Sequence, residues 1–328
     1  MRIFCLTFLG AALVCGQTPT EVLSFGHAAG PQQFQEIANA VRIIAAVQNC
    51  TVDAEAKTLT VGGTPDQLAL ADWVFHEFDV DPQASRPAMQ EYVVPHASDD
   101  VVRVWYFHGL PPQQLQEIVN MMRTITDVAL IYQDRTVNAI AARGTSAQAA
   151  ASGWLAGTVT QMPSPGTHEY DLPPSADYMG RAGTVVRVFF LTQNETQQQL
   201  QEVVNALRTV TDISKIYQYL PTHAITLRGH AEQSALADWL IDKLDRPAAA
   251  QNAAAEYTFT GPSVLPPGST AVRVFYVPAA NTPQALQEMV TSVRRVAQIP
   301  KVYACLAPRA IALRGTAAQV TQAEGLLQ

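Results

Sequence analysis

The side chains able to carry chemistry are few and scattered. Seven histidines, His27, His76, His96, His108, His168, His223 and His230, are spread along the chain. None stands in a His-Glu-x-x-His pair or at another metal-ligand spacing with cysteine or carboxylate, so they read as loop and surface residues. No Gly-x-Ser-x-Gly elbow, Ser-x-x-Lys pair or phosphate-cradling glycine loop is present, and Gly62-Gly63 reads as a turn. The sequence predicts no catalytic residue, no metal, no cofactor and no enzyme. Basic residues number 21 against 28 acidic ones, a balance that does not steer a chain to nucleic acid.

The residues that do recur are of recognition type. A Gln-Glu pair appears four times, as Gln35-Glu36, Gln116-Glu117, Gln201-Glu202 and Gln287-Glu288. An arginine follows each Glu by six residues: Arg42, Arg123, Arg208 and Arg294. A glycine follows each Glu by 27: Gly63, Gly144, Gly229 and Gly315. Ten beyond stand Trp73, Trp154 and Trp239, with Gly325 as the exception. No gap is needed over this span, so the chain is a tandem repeat.

Each copy reads as strand, helix, strand, strand, helix. The first strand is rich in Val and aromatics, as in Val185 to Phe190. The first helix opens at Pro31, Pro112, Gln197 or Pro283, and Thr196 and Thr282 suit its cap. Leu200, Val203, Val204, Leu207 and Val210 fall on one helical face. Ile213 to Tyr219 and Ala224 to Arg228 make the next strands, and Leu236, Trp239, Leu240 and Leu244 stripe the last helix. The expected fold is α+β: four tandem βαββα modules, each a three-stranded sheet with two helices on one face. The modules span 20–79 (divergent), 101–159, 185–245 and 271–328, joined by linkers 80–100, 160–184 and 246–270. Every linker holds a Glu-Tyr pair, Glu91-Tyr92, Glu169-Tyr170 or Glu256-Tyr257, and reads as a short extra strand beside a sheet edge.

This frame assigns roles. The four glycines are turns, and the three tryptophans are core. Arg42 and its equivalents lie late in a helix, where a cation suits the dipole. Arg143, Arg228 and Arg314 read as strand-end surface residues. Arg103, Arg187 and Arg273 sit in the first strand, opposite its inward valines, free to meet an acid across the sheet or a partner. With Gln116, Gln201 and Gln287 on the polar helix face, they are the candidate interaction residues. Tyr132, Tyr217 and Tyr303 share one position, and as exposed rings they would make an alternative glycan platform.

The N-terminus reads as an export signal at 1–16. Arg2 precedes an apolar run from Ile3 to Cys15, too short for a comfortable membrane span. A lipid anchor at Cys15 is disfavoured by the bulk of Val14. Removal of the signal leaves Cys50 and Cys305, too few for a disulfide framework. Asn49-Cys50-Thr51 and Asn194-Glu195-Thr196 match the glycosylation pattern, which matters only outside bacteria.

The repeat resembles the periplasmic N-terminal modules of bacterial secretins, the outer-membrane rings of secretion and pilus systems. The likeness rests on Val-Val-Arg-Val-Phe-Phe at 185–190, Ala-Ile-Thr-Leu-Arg-Gly at 224–229 and the helix at 235–245 ending Leu-Ile-Asp-Lys-Leu-Asp. It implies an exported, periplasmic or secreted protein that binds or assembles with envelope proteins, itself included. The secretins' large pore-forming β-domain has no counterpart in this sequence, so channel function is not implied. The first copy also lacks the strand arginine. KH domains share a related topology, but their Gly-x-x-Gly clamp for RNA is absent from every copy.

Overall fold

The structure, a computed structural model, describes residues 19–81, 86–162, 166–176, 180, 182–247, 254–261, 267–280 and 282–327. The chain forms two compact units, Met1–Ser85 and Arg86–Gln328. The proposed export signal lies outside the described residues.

The first unit holds module 1: β1 (Thr20–Ser24), α1 (Pro31–Ile44), β2 (Asn49–Asp53), β3 (Thr58–Gly62) and α2 (Pro65–Phe78). Its sheet has the order β1-β3-β2, wholly antiparallel. Alternation along the strands sends Leu23, Leu59 and Val61 inward against Phe34, Ile37, Val41, Leu70 and Phe75, all buried. The opposite face is polar: Thr20, Ser24, Thr51, Asp53 and Thr60 are exposed.

The second unit holds modules 2 to 4. Module 2 runs β4 (Met89–Val93), β5 (Val101–Tyr106), α3 (Pro112–Thr126), β6 (Leu130–Asp134), β7 (Ala139–Gly144) and α4 (Ser146–Thr160). Module 3 runs β8 (Thr167–Asp171), β9 (Val185–Phe190), α5 (Gln197–Thr211), β10 (Lys215–Tyr219), β11 (Ala224–Gly229) and α6 (Ala231–Leu244). Module 4 runs β12 (Ala255–Thr258), β13 (Ala271–Tyr276), α7 (Pro283–Val296), β14 (Lys301–Cys305), β15 (Ala310–Gly315) and α8 (Ala317–Leu327).

The expected βαββα order holds in every module. In modules 2 to 4 the linker adds a fourth strand, giving the orders β4-β5-β7-β6, β8-β9-β11-β10 and β12-β13-β15-β14. This extra strand is the Glu-Tyr segment. It covers the free edge of the first strand, whose unpaired backbone groups would otherwise seek a partner.

The glycines have a reason other than a turn conformation. Gly63, Gly144, Gly229 and Gly315 all have negative φ. A Cβ at Gly144 would sit 2.7 Å from Gln148 Oε1. That glutamine, with Gln67, Gln233 and Gln319, accepts from the backbone N–H at the helix N-cap and donates to the end of the first helix, at Ala46, Thr126, Thr211 and Gln298. A single side chain thus ties the two helices of each module together. The glycine leaves room for it.

Candidate functional site

Modules 2, 3 and 4 meet through one repeated contact. The first helix of one module lies across the edge strand of the next: α3 on β10, and α5 on β14. The outer face of the second module's sheet joins the first module's core. Val186, Val188, Tyr219 and Ala224 of module 3 belong to the cluster built on Leu115, Ile118 and Ile125 of module 2. Val272, Val274, Cys305 and Ala312 of module 4 belong likewise to the cluster of Leu200, Leu207 and Leu240. The "inward" valines of β9 and β13 therefore face the preceding module, and the arginines between them face their own helices. That reverses the assignment made from alternation alone.

Each junction is keyed by an aspartate. Asp127 and Asp212 end α3 and α5 in the left-handed region, at φ 61° and 64°. Short polar side chains tolerate this conformation best after glycine. Asp127 receives Lys215 and, at 3.2 Å, Arg228. Asp212 receives Lys301 and Arg314. Arg228 and Arg314 are 2% and 0% exposed, which corrects their reading as strand-end surface residues. Arg228 also donates to the carbonyls of Gly183, Ala176 and Ile125, and Arg314 lies 4.7 Å over the Phe259 ring. Buried guanidinium groups need such partners, since an unpaired buried charge is costly.

The recurring glutamates complete the seal. Glu117 accepts from Leu220 N–H at 3.4 Å, and Glu202 from Leu306 N–H at 2.7 Å. Burial raises the Glu117 carboxyl above its ordinary value, opposed by that N–H. Burial also pushes the Tyr219 hydroxyl up to about 12, with Glu117 adding to the shift. Lys301 is lowered by burial despite its bond to Asp212. An open cleft of ≈ 390 Å³ flanks the first junction, lined by Glu117, Gln197, Gln201, Arg208, Tyr217 and Gln218 among others.

The candidate interaction residues divide between the fold and the junctions. Arg103, Arg187 and Arg273 pair with Glu91, Glu169 and Glu256, directly opposite on the linker strand. Arg187 also donates to Ser234 O, and Arg273 pairs with Glu324. They pin the fourth strand to the sheet, and in modules 3 and 4 to the last helix as well. They are not a free docking face. Gln116 and Gln201 brace Asn120 and Asn205 one turn along the helix. These asparagines bond the hydroxyls of Tyr217 and Tyr303 in the next module. Gln287 lies exposed on α7, with Thr291 where the asparagine stood.

Other expectations are corrected too. Tyr217 and Tyr303 are half-buried junction residues and not open platforms for sugar rings. Trp154 and Trp239 are only partly buried; their rings meet the linker's Tyr170 and Tyr257 in tilted contacts, centroids 5.4 and 5.3 Å apart. Arg42, Arg123, Arg208 and Arg294 do stand in the last turn of their helices, as expected, and each also donates to a carbonyl of its own second strand, at Cys50, Ile131, Ile216 and Val302. Asn194 is 2% exposed and bonded to Leu244 O, so it is no glycosylation acceptor. The junction aspartates were missed because they recur in only two copies; Ala46 and Gln298 fill the same left-handed position in modules 1 and 4.

No family model and no curated protein matches this chain. Among solved structures it is similar to Aeromonas hydrophila ExeD, at 14% identity and a TM-score of 0.18, over 69% of this chain and 40% of that one. It is also similar to the ETEC pilotin–secretin AspS–GspD complex, at 12% identity and a TM-score of 0.17, over 95% of this chain and 55% of that one. The chain spans about half the length of these matched chains. Among the described residues, no helix is long and apolar enough to cross a membrane.

Proposed function

We propose that this chain is an exported, non-catalytic scaffold that binds proteins of the cell envelope, in a secretion- or pilus-type assembly. The observation that carries this reading is the repeated junction. Two modules in succession offer the same helix face, and each face is filled by the sheet of the following module. Recognition of a protein surface is what this geometry does within the chain itself. The contact is heterologous, one face meeting a different one, and such contacts extend wherever another matching face is offered.

Among the described residues, the corresponding face of α7 is partly exposed. Val203, Ala206 and Val210 on α5 are fully buried, whereas Met289 and Ser292 at the same positions of α7 are half-buried and Val296 is 40% exposed. This face is the docking site of the scaffold, for an envelope protein or a second copy of the chain. Export is supported by the charged and apolar pattern of residues 1–16, and the absence of catalysis by the lack of any nucleophile–base or metal spacing.

Affinity capture from an envelope extract tests the reading. The intact chain should retain specific proteins, and Val296→Asp should release them while the melting temperature stays unchanged. Equal capture by both forms would overturn the assignment of α7.

A further inference from the structure

The edge of β1 is a second recognition site, of a different kind. In modules 2, 3 and 4 the first strand is flanked by the linker strand, so both its edges are paired. In module 1, β1 closes the sheet, and among the described residues no strand pairs with its outer edge. β1 is a five-residue strand. Its sequence is Thr-Glu-Val-Leu-Ser, with no lysine and no proline inside the strand, and Val22 is 62% exposed. Native proteins block such edges or use them to bind.

The charge at this edge is inverted relative to the other modules. Register fixes the equivalence. Arg187 lies opposite Leu227, and Glu21 lies opposite Val61, which stands at the same repeat position as Leu227. Glu21 thus occupies the place of the strand arginine. In module 3 that arginine sits between Glu169 on the added strand and Asp238 on the last helix, at 2.5 and 3.8 Å. In module 4 it sits between Glu256 and Glu324. Asp72 on α2 holds the helix position of Asp238 and Glu324. It pairs with His76 at 3.2 Å and keeps an exposed carboxylate. Glu21 has no ion-pair partner among the described residues. Two acids therefore stand where modules 3 and 4 place one arginine and one acid; module 2 has Gly153 at the helix position.

We infer that β1 accepts an antiparallel strand from another polypeptide, with an Arg or Lys directly opposite Glu21. The added strand makes the backbone bonds that the linker strand makes in modules 2 to 4. Its basic side chain takes the position held there by a linker glutamate and pairs with Glu21, flanked by Asp72. A second copy's own linker strands are poor occupants. They carry Glu91, Glu169 and Glu256 at this register, and like charges directly opposite are destabilising. The inference names one kind of partner for the scaffold proposed above. It rests on that reading only for its biological purpose.

The test uses the full chain, isotope-labelled for NMR, and two synthetic peptides. One has the sequence of residues 166–172, and the other is the same peptide with Glu169→Arg. The arginine peptide should shift the amides of Thr20 to Ser24 and bind roughly fivefold more tightly than its parent, since an attractive cross-strand pair replaces a repulsive one. Glu21→Arg in the chain should reverse that preference, and Glu21→Gln should level it, each with the spectrum outside β1 unchanged. Equal binding of the two peptides, no shift at millimolar peptide, or shifts confined to other elements would overturn the inference. These outcomes are independent of capture through α7, so either result can fail alone.

Discussion

Single residues decide where the junctions form. Asp212 holds a fully buried arginine and a lysine of the next module through one carboxylate. Asp212→Asn should cost about 1.5–3 kcal/mol, the range for a hydrogen bond to a charged group, read as a lowered urea midpoint at constant slope. Among the described residues, Gly183 is the one glycine whose replacement meets backbone. Its φ is +75°, and a Cβ would lie 2.0 Å from the carbonyl carbon of Gly229. Gly183→Ala should lower thermal stability more than any surface substitution and disturb the carbonyl that receives Arg228. An unchanged melting curve would refute that packing. Neither residue was legible in the sequence. Asp127 and Asp212 look like ordinary turn residues, and Gly183 lies in a linker outside the repeat. The strand arginines were legible as possible partners of an acid across the sheet, and Glu91, Glu169 and Glu256 are those acids; which acids they were was not legible, because they come from linkers of variable length.

Elements explain how modules 2 to 4 are joined. The βαββα order, the helix stripes and the extra linker strands all follow from periodicity and can be read from one copy. What one copy cannot show is that the sheet has two buried faces. Val186 and Val188 look like the core side of a half-exposed strand, yet they pack on the preceding module. The tryptophans show the same limit. Trp239 sits at a core-like position but clasps Tyr257 of the following linker. Trp239→Ala should therefore cost less than the roughly 3–5 kcal/mol of a buried tryptophan and more than the about 0.5 kcal/mol of a surface site. Its chief effect should be faster proteolysis of linker 246–270. Cys305 offers an independent reading of the same elements. It is 0% exposed beneath α5, and burial raises its thiol well above the ordinary range. The native chain should alkylate at half-buried Cys50 first, and at Cys305 only when the junction between modules 3 and 4 opens.

At the scale of the whole chain, the modules differ most in their outer surfaces. Module 1 turns a face of Thr, Ser and Asp, with the exposed Val22, to solvent, while modules 3 and 4 turn faces of Val, Ala and Tyr to the repeat before them. Modules 2 to 4 should consequently unfold as one cooperative unit, with a single transition in calorimetry. An excised 185–245 module should expose Val186, Val188 and Tyr219 and self-associate. Modules 2 to 4 recognise one another through an aspartate-keyed helix face. A double-mutant cycle on Asp212→Asn and Lys301→Gln, read as the rate of Cys305 alkylation in the otherwise native chain, tests it most directly. Each single change should raise the rate, and the double change should raise it by less than the product of the two. Rates unchanged in all three variants, or effects that simply multiply, would contradict the keyed junction.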